Sequence, residues 1–137
     1  MTEKEVIALL KKNNFSCVLY NQNKMISKTQ RGIRPLMEIL DSGEDFSGFC
    51  VVDKVVGKAA AFLYVLLGIK KVYAMVISKP ASDVLNQYGI DLEYEVLTEK
   101  IQNRTKTGLC PMETAVFYID NPNQALSILR EKLIELS

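Results

Sequence analysis

Two side chains in this 137-residue sequence stand where their chemistry is unusual: Lys58 and Cys110. Lys58 interrupts a run from Val55 to Leu67 that is otherwise apolar or glycine. A helix apolar on all sides is a buried helix, and a buried ammonium is costly unless it is paired. Near a helix N-terminus such a cation would favour an anion, and desolvation would lower its pKa toward that of a base or amine nucleophile. The plainer outcome is a packed stem whose head reaches water or an acid such as Asp53. Cys110 precedes Pro111, which suits a first helical position, so the cysteine falls at an N-cap where a thiolate is stabilised. Glu113, three residues on, is in capping-box register and opposes that stabilisation by like charge. The pair therefore reads either as a reactive thiol, with Lys58 or Glu113 as its base, or as a helix cap with a half-buried sulfur. Arg31, Arg34, Asn103 and Arg104 lie in or beside loops. An arginine there offers bidentate geometry to a phosphate or carboxylate, although solvated loop charge is the commoner outcome.

The residue types also exclude much. There is no histidine, and no two of Cys17, Cys50 and Cys110 form a C-x-x-C pair. Ser-His-Asp and Cys-His triads, imidazole acid/base catalysis and His-containing zinc sites are thereby removed. Three sparse cysteines point to a reducing compartment, with Cys17 and Cys50 as small core residues of strands. A net charge of +1 and a pI near 7.6 leave no electrostatic footprint for nucleic acid or an anionic membrane. Gly57-Lys58 lacks the upstream glycine of a P-loop, and no G-x-G-x-x-G is present. The charged start, Met1 to Glu5, is unlike a signal peptide, and the longest uncharged apolar run, Ala59 to Ile69, is about half a membrane span. The expectation is one cytoplasmic domain over residues 1–137 with no membrane contact.

The elements that must position these residues follow from pattern. Thr2 and Glu5 make a T-x-x-E box before Val6, Leu9 and Leu10, so a helix runs to about Lys12 and stops at Asn13-Asn14. Phe15–Tyr20 and Met25–Thr29 form an antiparallel hairpin around a polar turn. Pro35 opens a short helix that ends near Gly43. Phe49–Val52 reads as a central strand, and Asp53 as the N-cap of a helix through Leu67 with Gly68 as its stop. Val72–Ile77, a helix from Pro80 to Tyr88, and Ile90–Leu97 complete a parallel strand-helix-strand unit. Cys110-Pro111 starts a short helix, and Asn121-Pro122 a final amphipathic one. This order predicts an α/β fold, a three-layer αβα sandwich with a mixed five-stranded sheet.

That element order resembles the cytidine deaminase-like fold, most closely from Phe46 to Ile77. There Gly48-Phe49-Cys50-Val51-Val52 and Gly68-Ile69-Lys70-Lys71-Val72-Tyr73 look like the strands on either side of that fold's metal-bearing helix. A parallel fifth strand resembles the tRNA-adenosine and deoxycytidylate deaminase branch. As a whole the chain resembles a small uncharacterised family carrying this fold, a domain of unknown function, through the segments Asp53–Ala61 and Gly108–Glu113. The resemblance implies an H-x-E…P-C-x-x-C metal site, with the cysteines near Gly57 and Ala60 and the H-x-E near Arg34-Pro35-Leu36. None of these residues ligates zinc, and the nearby Glu38 is one carboxylate in place of three soft ligands. The expectation is a protein without metal or cofactor that is not a zinc-dependent deaminase. Its vestigial cleft, lined by Arg34, Asp53, Lys54, Lys58, Arg104, Cys110 and Glu113, would bind a small anionic, nucleotide-like molecule. Two rivals remain open: an enzyme or redox-sensitive protein working through Cys110, and a homo-oligomeric scaffold with the Phe62–Leu67 helix at a subunit interface.

Overall fold

A computed structural model of the chain describes residues 1–102, 108 and 110–136. Helix α1 (Glu3–Asn13) opens on the expected box: Thr2 Oγ1 accepts the Glu5 N–H at 3.2 Å and donates to the Glu5 carboxylate at 3.1 Å. It closes at Asn14, which adopts the left-handed region with φ 55° and returns its N–H to the Leu10 carbonyl. Strands β1 (Cys17–Tyr20) and β2 (Met25–Lys28) pair antiparallel. Their turn is held by Asn21, whose side-chain oxygen accepts the N–H groups of Asn23 and Lys24. Then follow α2 (Arg34–Asp41), β3 (Cys50–Val56), α3 (Lys58–Leu67), β4 (Lys71–Ser78), α4 (Lys79–Gln87), β5 (Asp91–Thr98), α5 (Pro111–Ala115) and α6 (Pro122–Leu136).

The strands form one mixed sheet in the order β2-β1-β3-β4-β5, antiparallel across β2-β1-β3 and parallel across β3-β4-β5. Helix α1 covers one face, where Val6 and Leu10 pack on Val18, Tyr20 and Val52. The remaining helices share the other face around α3, whose Phe62, Leu63 and Tyr64 are fully buried. Burying each such side chain contributes about 1.5–3 kcal/mol. The three-layer α/β architecture and its mixed sheet are therefore as the pattern predicts. The helix expected to offer Phe62–Leu67 to a partner subunit spends Phe62, Leu63, Tyr64 and Leu67 on its own core instead. No helix among the described residues is long and apolar enough to cross a membrane.

One boundary departs from expectation. Strand β3 does not stop at Val52; it runs to Val56, and the helix begins at Lys58 with Gly57 as its N-cap. Asp53 is thus a strand residue, opposite Cys17 of β1, and not a helix cap. A buried aspartate persists in a strand because its oxygens find donors: the Tyr64 hydroxyl of α3 at 2.5 Å and the Val55 N–H at 3.1 Å. Lys54 points away from that cluster and bonds the side chain of Asn14 at the end of α1.

Candidate functional site

The N-terminus of α3 is where the sequence places the candidate anion seat, and the structure fills it from within. Glu113, on α5, sends its buried carboxylate across to α3, where one oxygen accepts the Lys58 N–H at 2.7 Å and the other the Ala59 N–H at 2.9 Å. Two of the four N–H groups that a helix leaves unpaired at its start are satisfied in this way, and the negative charge lies at the positive end of the helix dipole. Burial holds the Glu113 carboxyl above the usual range, opposed by the Ala59 and Lys58 N–H bonds and the Lys58 charge. The approach is possible because residue 57 has no side chain. A β-carbon there would stand 2.5 Å from both Cδ and Oε1 of Glu113, far inside contact distance. The capping box expected within α5 is accordingly not made: Cys110 has no side-chain cap bond, and its N–H goes to the Ile101 carbonyl at 3.1 Å.

Lys58 is the first residue of α3 and half-buried. Its ammonium does not reach Asp53. It donates to the Phe117 carbonyl at 2.9 Å and lies 5.7 Å from the centre of the Phe62 ring. Desolvation lowers its pKa, with Glu113 and Asp120 opposing. Beside it opens a cleft of about 220 Å³ between α3, α4 and the segment joining α5 to α6. Phe62, Pro80, Val84 and Ile119 supply its apolar wall; Lys58, Gln87, Asp83 and Asp120 supply its polar groups. Asp83 is already engaged by Lys79 at 3.4 Å. With two carboxylates against one ammonium among its lining residues, the cleft does not present the cationic seat that a phosphate requires. Asp83, Gln87 and Asp120 are polar lining residues that sequence reasoning missed, as it missed the Phe117 carbonyl that holds Lys58, and nothing in their local spacing marks them.

The other expected residues scatter. Asp53 faces the interior, with Tyr64 and Cys17 as its titratable neighbours. Burial pushes its carboxyl up to about 7, with the Tyr64 hydroxyl and the Val55 and Lys54 N–H groups opposing, and raises both the Cys17 thiol and the Tyr64 phenol. Lys54 is on the α1 side of β3. Arg34 opens α2 and is exposed, with no ion pair among the described residues. Cys110 is half-buried against the main core. It lies one turn before Glu113, whereas Lys58 Nζ is bonded to the Phe117 carbonyl beyond the opposite end of α5. Arg104 and Asn103, and the loop from Thr105 toward Gly108, lie outside the described residues apart from Gly108 itself. The structure thus joins Lys58 with Glu113 and leaves Asp53, Lys54, Arg34 and Cys110 in separate surroundings.

The comparisons agree with this fold. The sequence profile of a family described as TM1506, domain of unknown function (DUF1893), matches residues 5–133. The crystal structure of a DUF1893 family protein, TM1506 from Thermotoga maritima, is similar with a TM-score of 0.86 at 27% identity, covering 94% of this chain and 88% of that one. The dCMP deaminase of the cyanophage S-TIM5 in its apo form is similar with a TM-score of 0.52 at 17% identity, covering 69% of this chain and 99% of that one. The same enzyme in complex with dCMP and dUMP matches with a TM-score of 0.52 at 15% identity, covering 69% and 98% of the two chains. No curated protein matches the chain. The zinc that a deaminase fold implies does not fit the residues present. Gly57 and Ala60 offer no donor, the space at Gly57 is taken by the Glu113 carboxylate, and no three His, Cys, Asp or Glu side chains among the described residues come together to hold a metal.

Proposed function

The chain belongs to the DUF1893 family, and we propose that it works as a metal-independent binding protein on a deaminase fold, taking a small polar molecule in the cleft beside Lys58. One observation carries this reading. The Lys58 ammonium is half-buried, partly desolvated and beside a cleft, yet among the described residues its one hydrogen bond goes to a backbone carbonyl. An ammonium has three donors, so two remain to meet acceptor atoms of a ligand. Asp120 and Gln87 offer the complementary acceptors and donors, and Phe62 an apolar wall. A volume of about 220 Å³ suits a single ring or a molecule of amino-acid size.

The likeness to a dCMP deaminase makes nucleobases and nucleosides the first class to try, although fold alone does not carry function. The carboxylates of Asp83 and Asp120 oppose a dianionic phosphate in this cleft, and the α3 N-terminus is already held by Glu113. The ligand supported best is therefore neutral or zwitterionic, with acceptors and donors on one edge, rather than the phosphorylated anion expected from sequence. Thermal denaturation with nucleobases, nucleosides, nucleotides and amino acids tests this, because a ligand that binds only the folded state raises the midpoint. At least one neutral or zwitterionic compound is expected to raise it for the native chain and to lose that effect in Lys58→Met. No shift with any of them, a shift only with phosphorylated ones, or a shift that persists in Lys58→Met would overturn the reading.

A further inference from the structure

We infer that Glu113 replaces the metal as the tie of this site: its carboxylate joins α5 to the start of α3 where the fold otherwise places two metal-bound cysteines, and Gly57 is glycine to admit it. First, the positions near which the resemblance places the two cysteines are Gly57 and Ala60, the N-cap and third residue of α3, and Glu113 bonds the two N–H groups of Lys58 and Ala59 between them. Second, the contact is steric as well as polar. All three carboxylate atoms of Glu113 would lie within 2.7 Å of a β-carbon at residue 57, so any side chain there, a cysteine included, displaces the carboxylate. Third, the carboxylate is buried and its bonds link residues 54 and 55 positions apart in sequence, which gives it the long-range reach of a metal tie.

A divalent metal neutralises two thiolates, whereas the Glu113 carboxylate places an uncompensated negative charge at the α3 start, where the dipole and the Lys58 and Ala59 N–H groups stabilise it. Residues 57 and 113 form a coupled pair, since neither identity makes sense without the other.

Amide hydrogen exchange and chemical denaturation of Gly57→Ala, Glu113→Ala, Glu113→Gln and Gly57→Ala/Glu113→Ala provide the test. Glu113→Ala is expected to lower protection of the Lys58 and Ala59 amides at least about tenfold while the middle of α3 stays protected. Glu113→Gln, which keeps one acceptor oxygen, is expected to spare one of the two amides and provides a milder variant should Glu113→Ala not fold. Gly57→Ala is expected to shift the denaturation midpoint strongly in the native background and much less beside Glu113→Ala. Additive effects of residues 57 and 113, or unchanged protection of both amides in Glu113→Ala and Glu113→Gln, would overturn the inference.

Discussion

Asp53 and Glu113 are both buried carboxylates without an ion-pair partner among the described residues, and they are stabilised in different ways. Glu113 accepts two backbone N–H groups at a helix start, whereas Asp53 lies among Tyr64, Cys17 and the β3 backbone. The consequence is a pH dependence. The carboxyl of Asp53 is raised to about 7 in the folded chain, against the usual 3.8 of an exposed aspartate. The folded state therefore holds this proton more tightly than the unfolded one. The stability it contributes is complete below about pH 4, falls as pH rises toward 7, and is gone above that. Asp53→Asn removes the ionisation, so its stability relative to the native chain is expected to improve by on the order of 2–4 kcal/mol between pH 4 and pH 8. Denaturant unfolding at both pH values checks this; a constant difference between the two proteins would contradict it. Lys58 was visible in the sequence as a charge in an apolar run, but its partner was not. The Phe117 carbonyl belongs to the backbone of a distant segment, and no side-chain pattern announces it.

At the level of elements, the order of six helices and five strands was legible because each element carries its own local signals. The T-x-x-E box of α1, the Asn21 turn, Pro80 inside α4 and Gly68 with φ 75° after α3 are examples. The β3–α3 boundary was not legible. An aspartate before an apolar run is a good N-cap by local rules, and what keeps Asp53 in the strand is Tyr64, one turn and a half along the next helix. Glu113 was misread for the same reason: its spacing from Cys110 fits a local cap, while its acceptors serve α3 across the fold. The Tyr64 hydroxyl links the buried face of α3 to the sheet through the Asp53 carboxylate of β3, with the Cys17 thiol of β1 beside it. Tyr64→Phe leaves an oxygen of Asp53 without its hydroxyl donor, and a loss of about 1–3 kcal/mol at pH 7 is expected from denaturant unfolding. A change below about 0.5 kcal/mol would show that the bond contributes little to holding the helix.

Across the whole molecule the two faces of the sheet are unequal. Among the described residues, α2 to α6 pack on one side and α1 covers the other. Lys71 joins Glu3 of α1 to Glu93 of β5, and Glu95 receives bonds from Lys11 and Tyr73, so polar contacts extend the reach of α1 toward the far edge. These exposed pairs contribute little individually, and the stability of the fold lies with the core around α3. That same helix receives the Glu113 carboxylate at its first turn, where the proposed exchange of a metal tie for a carboxylate would lie. The central claim is that a carboxylate now stands where a metal would be held. Its most direct test is the metal content of the native protein, purified without chelators and measured by native mass spectrometry after incubation with zinc. The account predicts the mass of the bare chain; one zinc retained per chain, released only on unfolding, would contradict it.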